Sequence, residues 1–301
     1  MSKDNEIYNY KLLVHQLIEE GNFIKAAAIY DRIYKKEQNN VDLLYDIAMF
    51  QHEYINPQEA LRYYDEIIEI EESEAGAYYG KAIIHEDLGE IDKAILNYKK
   101  AIEWDPGYHL AHLYLADIYD EKKMDDLAEN HIKKAIQHAP DEVLCYNHYG
   151  SFLESRNRDA EALEYTLKAL EIEEDHYLSL FNMGVLMKKK GQIDQAISYY
   201  EKSVLSRQTY AYSYLNMAVL FKENGDYKKA YEVLTSAILH NPDVSVLFYN
   251  RGIMLVGLEK YDQATLDVIE SIKLSPSLKK YALIDTELKG INLVDIKAVD
   301  A

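Results

Sequence analysis

The stretch YSYLNMAVLFKENGDYKKAYEVLTSAILHNPD, residues 212–243, contains the pattern that decides the fold. Apolar residues recur at three- and four-residue spacing in two segments of about 12–14 residues, a spacing typical of amphipathic helices. Gly225 lies between the two segments, and Pro242 follows the second one, where a helix is expected to end. Ala218 and Ala230 are small, so that the two helices can approach each other closely. The stretch therefore predicts one pair of short helices.

The same pattern recurs along the chain with a period of 34 residues. An alanine stands at one slot of every unit: Ala26, Ala60, Ala94, Ala128, Ala162, Ala196, Ala230 and Ala264. Twelve residues earlier, seven of the eight units have a small residue, and Val14 is the exception. Four residues after the alanine, several units have a tyrosine: Tyr30, Tyr64, Tyr98 and Tyr200. Small and large residues fixed at one period indicate an array of stacked helix pairs.

This pattern resembles the tetratricopeptide repeat family over about residues 7–278. The resemblance implies eight tandem repeats, which start near Ile7, Val41, Ala75, His109, Val143, Tyr177, Ala211 and Ser245. The fold that it implies is all-α, a right-handed superhelical solenoid of antiparallel helix pairs that occupies residues 1–278. Lys81 and Arg251 stand where the family has leucine, and each could loosen one helix pair.

The region after the array, residues 279–301, predicts a closing element. A stacked array exposes the apolar face of its last unit, so that a capping helix is needed to cover it. We expect this helix over about residues 278–290, which are rich in apolar side chains. The tail that follows alternates in polarity and is compatible with a short strand or with a self-associating segment.

Composition narrows the possible partners. The chain has 33 basic and 52 acidic residues and a formal net charge of −19, which argues against nucleic acid and anionic membranes as partners. Cys145 is the single cysteine, which excludes an internal disulfide and a CxxC motif. The N-terminal residues lack the apolar core of a signal peptide, and no apolar stretch has the length of a membrane span. We therefore expect a cytoplasmic protein.

Sequence motifs that would indicate catalysis are missing. The sequence contains no glycine-rich nucleotide loop and no GxSxG nucleophile motif. Neither His52 nor His85, each followed by glutamate, has a second histidine four residues later, as a zinc-binding HExxH helix requires. His109 and His112 could share a metal, but His112 occupies a large buried slot of the repeat and is better explained by packing. We expect no enzyme activity and no cofactor or metal.

By the resemblance, the first helix of each repeat lines a concave groove where partners bind. Charge at the inward slots of these helices changes sign along the chain. Carboxylates occupy these slots in the third to fifth repeats: Glu86, Asp87, Asp117, Asp120, Glu121 and Glu154. Lysines follow at Lys188 and Lys222. Residues 41–176 carry a net charge of −20. A solvated outer face accounts for part of this charge, but the slots also predict a groove that orients a partner with a basic segment.

Asparagines occupy a single inward slot of the last three repeats, at Asn182, Asn216 and Asn250. An amide side chain can donate and accept at once, so that these residues could bind the main chain of a peptide, or could instead bond to a neighbouring helix. One slot earlier, aromatic residues could form pockets or could be partly buried between repeats: Tyr45, Tyr79 and Tyr249.

The leading functional hypothesis is a protein-interaction module or adaptor that binds an extended partner segment in the groove. The alternatives are a peptide-responsive regulator, a scaffold that self-associates through its C-terminal tail, and an acidic mimic of nucleic acid. Some family members are co-chaperones that bind acidic C-termini through a clamp of lysines and asparagines. That clamp is not expected here, because His15 and Asp46 stand where it requires asparagine.

Overall fold

A computed structural model describes residues 3–298, and within them all regular elements are helical, with no β-strand. Helices of ten or more residues follow one another in this order: α1 (Lys3–Glu19), α2 (Phe23–Tyr34), α3 (Val41–Phe50), α4 (Pro57–Ile70), α5 (Ala75–Asp87), α6 (Ile91–Trp104), α7 (His109–Glu121), α8 (Asp125–His138), α9 (Val143–Ser155), α10 (Asp159–Ile172), α11 (Tyr177–Lys189), α12 (Ile193–Ser206), α13 (Ala211–Glu223), α14 (Tyr227–His240), α15 (Ser245–Gly257) and α16 (Tyr261–Leu274).

The helices belong to two compact units, Met1–Pro140 and Asp141–Ala301. Within the first unit, each helix from α1 to α8 packs against the next one. Within the second unit, the helices from α9 to α16 pack in the same consecutive manner. From Val41 onward, the first helix of every pair begins at the residue that the 34-residue period predicts. The expectation of an all-α fold of consecutive helix pairs is therefore confirmed.

The repeated alanine lies in the interior of each helix pair. All eight alanines of this slot are completely buried, with 0% of their surface exposed. A Cβ added at Gly150 would come within 3.5 Å of the Ala162 carbonyl oxygen, and one at Gly252 within 3.3 Å of the Ala264 carbonyl oxygen. The small residue of the first helix thus packs against the turn of the second helix that begins with the alanine, and its nearest neighbour is the side chain four residues after the alanine. A larger side chain on either side would separate the helices, because protein interiors are close-packed.

Glycine at this facing slot also makes room for a large side chain elsewhere in the pair. A Cβ at Gly184 would lie 2.5 Å from the Tyr200 Cε1 atom, closer than real contacts allow. The Tyr200 side chain is fully buried. The predicted tyrosine slot is therefore part of the core, where the aromatic ring occupies the space that the glycine leaves.

The turn between the helices of a pair ends the first helix with a residue of positive φ. Seven residues, one period apart except for a gap at the second repeat, have φ between 58° and 77°: Gly21, Gly89, Lys123, Asn157, Gly191, Gly225 and Glu259. In the second repeat this position is Ile55, whose branched side chain disfavours positive φ. There α3 continues into a π-helical segment, Gln51–Ile55, and the Asn56 side chain caps α4. The sequence pattern did not predict this π-helical segment.

The two charged residues at the leucine slot have partners on second helices. Arg251 donates two hydrogen bonds of 2.7 Å to the carboxylate of Asp267 on α16. Lys81 forms an ion pair with Asp65 on α4. Each charge is thereby compensated where it is partly buried, so that neither repeat departs from the helix-pair arrangement.

The C-terminal region differs from the expected single capping helix over 278–290. It consists of short elements: a 3₁₀ turn (Pro276–Leu278), α17 (Lys279–Ala282), a second 3₁₀ turn (Thr286–Leu288) and α18 (Leu293–Ala298). Asp285 interrupts any longer helix, since its extended backbone and side-chain hydrogen bond to Glu287 N start a new turn. The tail is helical rather than a strand up to Ala298, and residues 299–301 lie outside the described part.

The positive-φ turn predicts a difference between two adjacent lysines. Replacing Lys123 by glycine should stabilise the protein by about 0.5–1 kcal/mol, because a side chain in the left-handed region costs about 1–2 kcal/mol, partly offset by the greater freedom of an unfolded glycine. Lys122→Gly, at φ −77°, should instead destabilise it. Urea unfolding followed by circular dichroism measures both. Equal destabilisation by the two substitutions would contradict the assignment of the turn.

Candidate partner-binding surface

The first helices of the second and third repeats, α3 and α5, line a pocket of about 440 Å³ in the Met1–Pro140 unit. Tyr45 and Tyr79, two predicted groove residues one period apart, belong to its wall. Met49 on α3 and Ile83 on α5, also one period apart, contribute apolar surface. The structure thus brings the inward slots of these two repeats together around one cavity.

Four of the ten residues that line this pocket are tyrosines. The ring centroids of Tyr45 and Tyr64 are 5.9 Å apart, and those of Tyr79 and Tyr108 are 5.0 Å apart, both within the range of favourable aromatic pairs. Gly80 makes this arrangement possible, because a Cβ at this residue would overlap the Tyr64 ring. Gly80 occupies the slot that holds asparagine in the last three repeats. An apolar cavity therefore stands here in place of an amide group.

Carboxylates lie at the pocket and beside it. Glu74 is part of the wall, where its Oε1 atom accepts a hydrogen bond from the Tyr45 hydroxyl at 3.0 Å. His52, placed in the wall by the π-helical segment, contacts Asp87 Oδ2 through Nε2 at 2.6 Å. Asp87 is a predicted groove residue at the end of α5. Since His52 is paired with Asp87 and Glu74 is a carboxylate of the wall, the pocket has an acidic character.

The predicted carboxylates of α5 and α7 repel one another electrostatically. Burial raises the pKa of Glu86, and the negative charges of Asp117, Asp87 and Glu121 raise it further. The Tyr98 hydroxyl, which donates to Glu86 Oε2 at 2.8 Å, opposes this shift. Four of the six acidic groove candidates therefore lie close enough together for mutual repulsion, which favours a cationic partner at this place.

The remaining two acidic candidates are placed differently. Asp120 lies in the last turn of α7, where its backbone carbonyl accepts a hydrogen bond of 2.9 Å from Lys123 N. In the second unit, Glu154 Oε1 forms an ion pair of 2.6 Å with Lys189 Nζ, which also contacts Asp159 Oδ1 at 3.0 Å. Glu154 therefore binds within the chain, and its charge is compensated there.

The three predicted asparagines are not equivalent. Asn182 donates through Nδ2 to Asn147 Oδ1 on the neighbouring first helix, at 2.9 Å. Asn216 and Asn250 each donate to the carbonyl four residues earlier in their own helix, at 3.0 and 2.8 Å. Within the described residues, the side-chain oxygens of Asn216 and Asn250 accept no hydrogen bond. Asn182 thus connects two neighbouring helices. Asn216 and Asn250 bond through their amide nitrogens, so that each side-chain oxygen is available as an acceptor.

The second lysine and the third tyrosine of the groove prediction contact the chain's own C-terminal region. Lys222 Nζ donates to Glu287 Oε1 at 2.7 Å. The Tyr249 hydroxyl donates to Asp285 Oδ2 at 2.7 Å, and its pKa is raised by burial and by this carboxylate. The segment Asp285–Glu287 therefore lies on the side of α13 and α15 where the sequence predicts a partner. The repeat pattern could not reveal this contact, since the C-terminal region lies outside the period.

Lys188, the other predicted groove lysine, lies 3.8 Å from Glu223 Oε1 on the next first helix. The two residues are 35 positions apart, one more than the repeat. Asn147 and Asn182 have the same separation. Adjacent first helices thus present side chains to each other at a spacing of 35, a signal in the sequence that would have identified these pairs.

Other reactive groups are packed into the core. His112 is buried, and its Nδ1 atom lies 2.8 Å from Nδ1 of His131. Burial, together with the charge of His112, lowers the pKa of His131 to about 4, so that this pair is uncharged at neutral pH. Cys145 is buried, which raises its thiol pKa to about 12 and keeps it unreactive. Among the described residues, no group of three or more metal-ligating side chains occurs.

A family model for the tetratricopeptide repeat matches residues 75–108, 177–210 and 211–243. The chain is a tetratricopeptide repeat protein. The three matches coincide with the helix pairs α5–α6, α11–α12 and α13–α14, which also agree with the predicted register. Tetratricopeptide repeats generally serve as protein-interaction scaffolds without catalytic activity. No curated protein sequence matches the chain at a significant level.

Solved structures with this repeat share the fold. A chain of the APC/C hetero-tetramer Cut9–Hcn1 is 17% identical to this chain, with a TM-score of 0.65. The alignment covers 97% of this chain and 55% of the Cut9–Hcn1 chain. PilF of Pseudomonas aeruginosa is 21% identical, with a TM-score of 0.58, and the alignment covers 76% of this chain and 98% of PilF. The chain in the human IFIT1 dimer with PPP-AAAA is 17% identical, with a TM-score of 0.63, and the alignment covers 91% of this chain and 73% of the IFIT1 chain.

The chain thus spans about 55% of the length of the first of these structures. At such identities the likeness concerns the fold alone. Between residues 3 and 298, no helix is both long enough and apolar enough to cross a membrane.

The crowding of carboxylates around Glu86 predicts a pH-dependent effect. A raised pKa means that the folded state disfavours the ionised side chain, so that Glu86 destabilises the protein at neutral pH and ceases to do so as the pH falls. Glu86→Gln removes the charge and keeps an acceptor for Tyr98. We expect the melting temperature to rise by roughly 2 °C at pH 7, a small value because the side chain is half-exposed. Near pH 4 the difference should vanish.

Glu69→Gln, at an exposed position of α4, is the matched control and should change little at either pH. Differential scanning calorimetry of both variants at the two pH values measures the effect. A loss of stability on Glu86→Gln at pH 7 would show that the carboxylate is stabilised where it lies.

Proposed function

We propose that this tetratricopeptide repeat protein is an interaction module that binds an extended segment of a partner protein along the first helices of its repeats. The observation that carries the proposal is the contact of the chain with itself. Asp285–Glu287 lies against α13 and α15, with Lys222 and Tyr249 each bonded to one of its carboxylates. Lys222 and Tyr249, which are predicted to bind a partner, thus bind a short segment through its first and third side chains.

The asparagines beside this contact support the same function. Asn216 and Asn250 lie on the same two helices and each has a side-chain oxygen that can accept a hydrogen bond. A backbone N–H of an extended segment is a suitable donor, because such a segment leaves its main-chain groups without internal partners. The contact would not depend on the side chains of the partner, so that specificity must come from other groove residues.

Charge favours protein over nucleic acid as the partner. The human IFIT1 structure named above contains PPP-AAAA, but its similarity to this chain concerns the fold. Residues 41–176 here carry a net charge of −20, and a phosphate backbone is repelled by such a surface. A protein partner with a basic segment fits the acidic face of α5 and α7.

A self-associating scaffold, the alternative function, is less well supported. Three apolar side chains of the C-terminal region, Leu288, Ile291 and Ile296, are buried within the second unit. Tyr281, Ile284 and Val294 remain exposed. Three side chains offer little apolar surface for a stable contact between copies.

The test is affinity capture from a lysate of the source organism, with the captured proteins identified by mass spectrometry. The wild type is compared with the Asn216→Ala/Asn250→Ala double variant and with Gln195→Ala/Gln263→Ala. The latter removes two exposed amides from second helices and is the matched control. We expect a protein that the wild type and the control retain and that the asparagine variant loses by about tenfold or more, since each lost hydrogen bond contributes about 0.5–1.5 kcal/mol.

Circular dichroism must show that the asparagine variant is folded. Retention of the same proteins by all three forms would contradict binding along the first helices. Capture of the chain alone would favour the self-associating scaffold.

A further inference from the structure

We propose that the tyrosine-lined pocket between α3 and α5 binds the side chain of an arginine or lysine from the partner segment. The inference rests on the proposed function, since it assigns to one part of the groove the kind of residue that it selects. The pocket is lined by four tyrosines, Tyr45, Tyr64, Tyr79 and Tyr108, together with Met49, Ile83, Glu74, His52, Gly76 and Gly80, and it is called the tyrosine pocket below.

The shape and polarity of the tyrosine pocket suit a basic side chain. Its volume of about 440 Å³ is within the range of small-ligand sites and leaves room for one long side chain. Met49 and Ile83 provide aliphatic surface for the methylene groups of such a side chain. Four tyrosine rings also belong to the wall. A pocket of this composition would bind a flexible apolar stem with a group at its end that interacts with tyrosine.

Tyrosine rings attract cations, because the face of an aromatic ring is electron-rich. The protein uses this interaction elsewhere on its surface. The Arg62 guanidinium lies 4.6 Å from the centre of the Tyr63 ring, and the Arg207 guanidinium lies 4.7 Å from that of Tyr177. Neither lysine nor arginine is among the described residues that line the tyrosine pocket. His52, the basic residue of the wall, is paired with Asp87, so that the rings remain available to a cation from outside the chain.

Glu74 provides the negative charge for this cation. Its Oε1 atom accepts a hydrogen bond from the Tyr45 hydroxyl. No lysine or arginine among the described residues forms an ion pair with Glu74. His52 is the basic residue of the pocket wall, and its Nε2 atom contacts Asp87 Oδ2 at 2.6 Å. The carboxylate cluster of Glu86 lies on the same helix, α5, and extends the negative potential beyond the pocket. Charge complementarity therefore selects a basic side chain over an acidic one.

The rings are also held in place before a ligand arrives. The Tyr45 hydroxyl is fixed by Glu74, and Tyr64 rests against Gly80. Tyr79 packs against both Tyr108 and Tyr114 at centroid distances of 5.0 and 5.9 Å. A preformed wall lowers the entropy cost of binding, which allows a single side chain to contribute measurably.

The test is methyl NMR on the full chain labelled at the methionine methyl groups, because Met49 is 60% exposed and lines the pocket. The Met49→Leu variant identifies its signal. The probes are N-acetyl-arginine amide, N-acetyl-lysine amide and the neutral isostere N-acetyl-citrulline amide, each at millimolar concentrations. We expect the arginine or the lysine probe to shift the Met49 signal saturably, and the citrulline probe to leave it in place. The two basic probes show which cation is preferred.

Glu74→Gln keeps the acceptor for Tyr45 and removes the charge. It should weaken the binding of the basic probe by about tenfold. Glu72→Gln, two residues earlier and exposed, is the matched control and should not alter binding. An equal shift with citrulline would overturn the selection of a cation and indicate an apolar pocket. No shift of Met49 with any probe would overturn the site altogether.

These outcomes are separate from those of the capture experiment. The NMR signal reports on Met49 in the first unit, whereas the capture experiment varies Asn216 and Asn250 in the second. A tyrosine pocket that fails to bind the probes leaves the capture result untouched. Conversely, a pocket that binds them while the asparagine variant retains its partners would separate cation binding from the proposed segment binding.

Discussion

The close approach of the two helices in each pair is the constraint on which the rest of the structure depends. It requires an alanine on the second helix and, in seven of eight repeats, a small residue opposite it on the first. All eight alanines are completely buried. Because this contact recurs every 34 residues, successive pairs within each unit pack in the same manner. Side chains on the other faces of the first helices take no part in this contact and can vary in chemistry.

Two different chemistries occupy that inward side. In the unit Met1–Pro140 it carries tyrosines and clustered carboxylates. In the unit Asp141–Ala301 it carries lysines and asparagines, and the acidic segment Asp285–Glu287 already contacts part of it. The change of sign along the groove stays a prediction, since Glu154 in the second unit is paired with Lys189. A partner segment at the acidic face of the first unit would need basic residues.

The sequence predicts those features of the fold that depend on local or periodic signals. The starts of the first helices from Val41 onward, the buried alanines and the positive φ of the turn glycines all follow from residues that recur at one spacing. A C-terminal segment outside the period could not be predicted in this way, and the single helix expected over 278–290 was wrong. The π-helical segment of the second repeat arises from an isoleucine in a slot that elsewhere favours glycine.

The sequence predicts on which helices the candidate residues lie, but not which of them pair with one another. The sequence indicates which residues lie on first helices, since that depends on the repeat register. It does not show that Lys189 would bind Glu154, or that Lys222 would bind Glu287, because such pairs depend on how side chains from different helices meet. The spacing of 35 residues between facing positions accounts for the first pair and could be applied to other arrays of this family.

Hydroxyl-radical footprinting of the protein with and without its captured partner tests the central claim most directly, because it reports the exposure of individual side chains. Met49 on α3 and Tyr212 on α13 lie on first helices and are 60% and 61% exposed. Leu205 and Leu239, on the second helices α12 and α14, are 81% and 77% exposed and provide the comparison. We predict that the partner protects Met49 or Tyr212 from oxidation and leaves both leucines unchanged. Protection confined to the leucines would contradict binding along the first helices.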